Sequence, residues 1–142
     1  MNPKHPVQVL VVDDNRDAAD AMVMAAQVLG HDATACYDGR AALSLLETYK
    51  PGLMILDLSM PGMDGYALVR AIRSNPEFTD VPVVALSGFG AEQDRQRTLE
   101  AGFDMHLLKP MEIDTLEQII ASAERRGPGY QGGSHYGDMR SR

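Results

Sequence analysis

Val9-Leu10-Val11-Val12-Asp13-Asp14 carries four apolar residues straight into a pair of carboxylates. An apolar run this short and this unbroken reads as a strand buried on both faces, the condition of a parallel sheet covered by helices. A second run, Met54-Ile55-Leu56, ends in the lone Asp57. Loops after parallel strands all open at the C-terminal edge of the sheet, so as neighbours the two runs gather Asp13, Asp14 and Asp57 there. Three like charges that close raise one another's pKa or recruit a metal. An all-oxygen set of this size suits Mg2+, which takes a few carboxylates and keeps several waters.

The rest of the chain repeats the pattern. Five apolar runs, Val7 to Val12, Ala33 to Tyr37, Leu53 to Leu56, Val81 to Leu86 and Met105 to Leu108, alternate with segments of helical period. Ala18, Met22, Ala25 and Leu29 form one helical stripe, closed by Gly30 as a left-handed cap. Asp38-Gly39 turns into a second helix, Arg40 to about Thr48, with Ala42, Leu45 and Leu46 inward and Lys50-Pro51-Gly52 as its stop. Asp64 caps a third helix bearing Leu68, Val69 and Ile72, which yields at Asn75-Pro76. A fourth, Glu92 to Ala101, is polar and the most exposed, with Leu99 as its anchor and Gly102 at its end. The last, Ile113 to Arg125, buries Ile113, Leu116, Ile119, Ile120 and Ala123. Asp114 and Glu117 near its start, and Arg125-Arg126 at its end, suit the helix dipole.

Strands separated by helices make a parallel sheet covered on both faces, because each crossover is right-handed and must pack somewhere. The expectation is a three-layer, doubly wound (βα)5 sandwich. With five strands and no glycine-rich phosphate fingerprint after the first, the flavodoxin-like strand order 2-1-3-4-5 is favoured. Strands one and three are then adjacent, and the three aspartates stand at the topological switch point, where ligands bind. Residues 1–126 form the domain, and 127–142, Gly127-Pro128-Gly129-Tyr130 onward, read as a flexible, disordered tail. Tyr130 and Tyr136 are read as part of that flexible end rather than as partner contacts.

Composition bounds the function. At 142 residues, 44% hydrophobic and 23% charged, the chain is one globular domain, with no apolar stretch near the roughly 20 residues of a membrane span. The start, Met1 to Pro6, lacks the apolar segment of a secretion signal, so the cytoplasm is the expected compartment. The single Cys36 excludes an internal disulfide and a cysteine-based zinc site, and reads as a small buried hydrophobe. A net charge of −7 disfavours nucleic acid as a partner and favours proteins.

Asp57, at the end of a central strand beside a cation site, is placed to attack phosphorus and form an aspartyl phosphate. An isolated aspartate there would read as a helix cap or plain metal ligand, but Asp13 and Asp14 beside it shift the balance. Leu58-Ser59-Met60-Pro61-Gly62-Met63-Asp64-Gly65 has the proline and glycines of a tight loop able to turn carbonyls toward a metal. Ser87 ends the fourth strand, where a hydroxyl either donates to a phosphate oxygen or caps a turn. Lys109 ends the fifth strand and can neutralise charge on a transferred phosphoryl group, the main demand of that reaction. The Lys109-Pro110 bond is a candidate for the cis form.

Val11-Val12-Asp13-Asp14-Asn15, Leu56-Asp57-Leu58 through Gly65, Ala85-Leu86-Ser87-Gly88 and Leu108-Lys109-Pro110, in this order from about Val7 to Arg125, resemble the response-regulator receiver domain of two-component signalling. The resemblance implies that Asp57 takes a phosphoryl group from a phosphohistidine on a sensor histidine kinase or a histidine phosphotransfer protein. It implies that Asp14, Asp57 and the Ser59 carbonyl bind Mg2+ directly, that Asp13 helps through water, and that Ser87 and Lys109 hold the phosphoryl oxygens. In that family an aromatic ring on the fifth strand follows the hydroxyl inward. Here the position is His106, which acts as a neutral ring in the pocket, as a pH-sensitive group, or as a partly exposed histidine with no switching duty. Ser59 and Phe89 flank the site at positions that tune phosphoryl loss, Phe89 by shielding water or simply by packing.

The leading reading is therefore a stand-alone phosphoacceptor whose output is binding to a downstream protein. Its switching face would run from helix four to helix five and include Gln96, Glu100, His106 and Glu112. A receiver cut from a hybrid kinase is the alternative, against which the native-looking start at Met1 weighs mildly. A Mg2+-dependent phosphatase of the haloacid-dehalogenase type would need a second aspartate where Ser59 stands. A binding module that ignores phosphorylation would not need the full set Asp13, Asp14, Asp57, Ser87 and Lys109.

Overall fold

The five apolar runs form five parallel strands, because each can hide both faces only inside a covered sheet. The computed structural model describes residues 6–88 and 95–125, without the side chain of Arg125. Strands β1 (Gln8–Val12), β2 (Asp32–Cys36), β3 (Leu53–Asp57), β4 (Val83–Ser87) and β5 (Met105–Leu108) alternate with helices α1 (Arg16–Val28), α2 (Gly39–Leu45), α3 (Gly65–Arg73), α4 (Arg95–Ala101) and α5 (Ile113–Arg125). The order is β2-β1-β3-β4-β5, as expected, with Val12 level with Leu56 and Asp57 level with Leu86.

Alternation along each strand sorts the core into two layers. Leu10, Val12, Met54, Leu56, Val83 and Ala85 pack against Ala42 of α2 and Leu46 just after it, Leu68, Val69 and Ile72 of α3, and Ala101 of α4. Val9, Val11, Leu53, Ile55, Val84, Leu86 and Met105 pack against Ala19 and Ala26 of α1, and Leu116, Ile119, Ile120 and Ala123 of α5. Every residue of β3 and β4 is buried. Cys36 lies in the first layer, 8% exposed, and burial pushes its thiol pKa up, consistent with a small hydrophobe.

Short polar side chains set the helix starts. Asn15, Asp38 and Asp64 each accept the N–H three residues on, so α1, α2 and α3 begin with one of their open donors satisfied. Gly30 closes α1 with φ of 92°, the left-handed conformation its lack of a side chain permits. Gly65 is required for a different reason: a Cβ there would lie 2.5 Å from the Asp57 carbonyl oxygen and 2.8 Å from Leu58 Cα. The start of α3 thus sits directly against the strand end that carries Asp57. The Lys109-Pro110 bond is cis.

Three packing expectations fail. On α1 the buried face is Ala19 and Ala26, and the anticipated stripe of Ala18, Met22, Ala25 and Leu29 only flanks it, because small alanines let the helix approach the sheet closely. Leu99 does not anchor α4. It is 39% exposed, while Thr98 and Ala101 are buried and the Arg97 guanidinium lies 3.9 Å from the centre of the Tyr66 ring. Ile113 is 46% exposed and lines an open groove rather than the core. The predicted beginning of α4, Glu92 to Asp94, lies outside the described residues, as does the tail.

Candidate functional site

Odd-numbered residues of β1, β3 and β5 face α1 and α5, so the residues that follow in the same phase, Asp13, Asp57 and Lys109, emerge together on that side of the sheet edge. Lys109 Nζ stands 3.2 Å from Asp13 Oδ2 and 3.3 Å from Asp57 Oδ1. The other oxygen of Asp13 accepts the Asn15 N–H at 3.0 Å, and Asp57 Oδ1 accepts the Ser59 N–H at 3.2 Å. Asp13 and Asp57 are each 3% exposed, whereas Asp14 is open to solvent. One carboxylate oxygen from each of Asp13, Asp14 and Asp57 lies within 4.8 Å of the others.

The electrostatics follow from this crowding. Burial, reinforced by the charge of Asp13, raises the Asp57 pKa from 3.8 to about 6; the Ser59 N–H and Lys109 oppose the rise without cancelling it. For Lys109 burial works to lower the pKa, but hydrogen bonds and attraction from Asp13 and Asp57 prevail and raise it. One ammonium therefore serves two buried carboxylates, with a third oxygen donor at the rim. Three hard oxygen donors, one of them with a pKa raised by burial and by the charge of Asp13, fit a divalent cation such as Mg2+.

Comparison with known proteins gives this geometry a family. The family model described as "Response regulator receiver domain" matches residues 9–121. The chain belongs to the response-regulator receiver domain family. An uncharacterised 14.6 kDa protein of Leptolyngbya boryana is 38% identical over 80% of this chain and 85% of its own length. The response regulator MprA of Mycolicibacterium vanbaalenii is 32% identical over 85% of this chain, which spans only 52% of it. Among solved structures, the receiver domain of Francisella response regulator 1452 superposes with a TM-score of 0.76 at 30% identity, covering 84% of this chain and 98% of that one. The receiver domain of a signal transduction histidine kinase from Syntrophus aciditrophicus gives 0.79 at 28%, covering 89% and 96%. Receiver domains of two-component signalling bind Mg2+ at an acidic pocket, and a cluster of three aspartates is present in this one. Among the described residues, no helix is long and apolar enough to cross a membrane.

Within this receiver the remaining predicted residues fall in two groups. Ser59 is exposed beside Asp57, and Lys109 is in contact with it. Ser87 is not: it shares the phase of Val83 and Ala85, faces α3 and α4, and lies with its Oγ 2.6 Å from His106 Nε2. His106 is 3% exposed, so it belongs to the interior and not to the surface expected from α4 to α5; Gln96, Glu100 and Glu112 are exposed. Phe89 lies outside the described residues. The pairing of Ser87 with His106 was available from strand phase alone, since both sit on the same side of adjacent strands.

The raised pKa has a stability consequence. Because the folded-state pKa of Asp57, about 6, exceeds the unfolded 3.8, the group's contribution is fully present below pH 3.8 and is lost as pH rises through about 6. Without metal, Asp57→Asn, neutral throughout, is expected to stabilise the fold at neutral pH by about 1–3 kcal/mol. Mg2+ should raise the wild-type melting temperature far more than that of the variant. Differential scanning calorimetry at several pH values, with and without Mg2+, checks this; a variant less stable than wild type at neutral pH would contradict it.

Proposed function

We propose that this chain accepts a phosphoryl group on Asp57 from a phosphohistidine of a sensor histidine kinase or histidine phosphotransfer protein, and signals by altered binding to a downstream protein in the cytoplasm. The observation that carries the reading is a buried, crowded carboxylate at a strand end with an ammonium 3.3 Å away and two further carboxylates beside it. Asp13, Asp14, Asp57 and the Ser59 carbonyl would hold Mg2+, whose charge offsets the repulsion between these acids and an incoming phosphoryl group.

An Asp57 carboxylate oxygen attacks phosphorus. The new O–P bond forms as the P–N bond to the donor imidazole breaks, and that electron pair returns to the imidazole nitrogen. Lys109 is close enough to shift part of its attraction from Asp57 to the phosphoryl oxygens as charge moves onto them. Ser87 supplies a hydroxyl to the same oxygens. Ser59 stands where a phosphatase of the haloacid-dehalogenase type has its second aspartate, which favours a phosphoacceptor over an enzyme turning over small phosphoesters.

A groove of about 260 Å3 between α1 and α5 shares Asp13 and Lys109 with the site, and is otherwise lined by apolar side chains including Met22, Ile113 and Leu116. Its continuity with the acceptor suits the helix that bears the donor histidine. The resemblance to a histidine kinase receiver supports a second setting, the same domain within a longer regulator, with identical site chemistry.

The test is labelling by acetyl phosphate, followed by intact mass. One phosphoryl group is expected with Mg2+, and none in its absence or in Asp57→Asn; persistence of the label in that variant removes Asp57 from the role. In the same assay Ile113→Asp should leave acetyl phosphate labelling unchanged while slowing transfer from a phosphorylated histidine phosphotransfer protein, and equal slowing with both donors would reject the groove.

A further inference from the structure

Ser87 is engaged in a short hydrogen bond before any phosphoryl group arrives. Its Oγ lies 2.6 Å from His106 Nε2, in a pair of side chains each 3% exposed. Whichever of the two carries the bridging proton, the bond fixes the hydroxyl on the face of β4 that looks toward α3 and α4. Asp57 emerges on the opposite face, in phase with Leu53 and Ile55. Among the described residues, the hydroxyl's hydrogen-bond partner is His106, while the Asp57 carboxylate is bonded by Ser59 and Lys109.

We infer that His106 is a positioning residue that tethers the Ser87 hydroxyl away from Asp57, so that Ser87 engages the phosphoryl group only by giving up this bond. A phenyl ring at position 106 could fill the same volume but would hold nothing. The histidine adds a directional bond on the unphosphorylated side of the equilibrium. Its energetic effect is the difference between two hydrogen bonds, one to a buried imidazole and one to a phosphoryl oxygen. Phosphorylation is opposed by the first and favoured by the second. The tether thereby sets how strongly Ser87 is coupled to the state of Asp57, and it ties that coupling to β5, the edge strand of the sheet.

The inference rests on Asp57 being the phosphoacceptor, and its test separates the two. The probe is beryllium trifluoride with Mg2+, a mimic of the bound phosphoryl group, titrated into the full chain by calorimetry. His106→Phe should bind it about three- to tenfold more tightly than wild type, the yield of one neutral hydrogen bond no longer broken. In a Ser87→Ala background the same substitution should change the affinity by less than about twofold, because there is no hydroxyl left to release. Weaker binding in His106→Phe, or the same gain with and without Ser87, overturns the inference. Failure of wild type to bind the mimic at all counts against the Asp57 reading instead.

Should His106→Phe not fold, the wild-type ring answers the question. Long-range proton–nitrogen NMR should show the His106 Nε2 resonance shift when the mimic binds, and no such shift in Ser87→Ala. An Nε2 resonance unmoved in wild type by saturating mimic excludes the exchange.

Discussion

Lys109→Met is expected to slow phosphorylation by acetyl phosphate by about two orders of magnitude at saturating Mg2+, the usual cost of removing one preorganised charged donor from a transfer site. The reason lies in how few positive groups the site contains. Lys109 Nζ reaches both buried carboxylates, and no other cation contacts either of them among the described residues. Its removal acts twice. Charge accumulating on the phosphoryl oxygens loses its counter-ion, and the Asp57 pKa, already raised to about 6, loses the positive charge that held it down. A larger share of the nucleophile is then protonated near neutrality. The measurement is the labelling rate from intact mass spectra at increasing pH. The variant's rate should climb toward higher pH than that of wild type, and Lys109→Arg should fall between the two, keeping the charge but spreading it over a planar fork. A rate for Lys109→Met within about threefold of wild type would remove Lys109 from the transfer step.

Why the sheet and the cluster of carboxylates at its edge could be read from sequence while other parts could not has a physical explanation. Strands buried on both faces leave unbroken apolar runs, and the first polar residues after those runs must lie at the sheet edge; Asp13, Asp57 and Lys109 needed no further information. Helix phase is harder. In α1 the face that meets the sheet is made of Ala19 and Ala26, and the larger Met22 and Leu29 that dominate any hydrophobicity pattern pack at its margins. In α4 a single large apolar residue, Leu99, cannot fix a phase, and the buried positions went to Ala101 and to Thr98, whose hydroxyl turns back to the Arg95 carbonyl. Ile113 lines the groove beside the site, a placement that a core-seeking reading cannot distinguish from burial. His106 carried an ambiguous signal. Its polarity suggested the surface, and only its alternation with Met105 and its place beside Ala85 put it inside.

Arg73, in the last turn of α3, is expected to be among the most damaging positions to lose outside the core. Its Nε donates to the Gly102 carbonyl at 2.9 Å, and Nη1 to those of Phe78 at 2.7 Å and Val81 at 2.8 Å. Nη2 meets Asp104 Oδ2 at 2.9 Å, and the same oxygen accepts the Val83 N–H at 2.8 Å. One guanidinium therefore joins the end of α3, the approach to β4, the end of α4 and the start of β5, using a fork of donors that lysine lacks. Arg73→Met keeps most of the apolar stem but strands the carbonyls that the guanidinium serves and the Asp104 carboxylate, and should cost about 3 kcal/mol, measured by urea unfolding. Asp104→Asn keeps an acceptor for Val83 and should cost about 1 kcal/mol. The double variant should cost less than the sum, since each single change already breaks the shared ion pair. A loss below about 0.5 kcal/mol in Arg73→Met would show the staple to be dispensable. The position also bears on the proposed signalling, because β5 presents His106 to Ser87 and is followed directly by Lys109. With the start of that strand unpinned, Arg73→Met should loosen the Ser87–His106 contact while leaving the Asp57 end of β3 in place. Its labelling by acetyl phosphate, well below the unfolding midpoint, should accordingly fall far less than that of Lys109→Met.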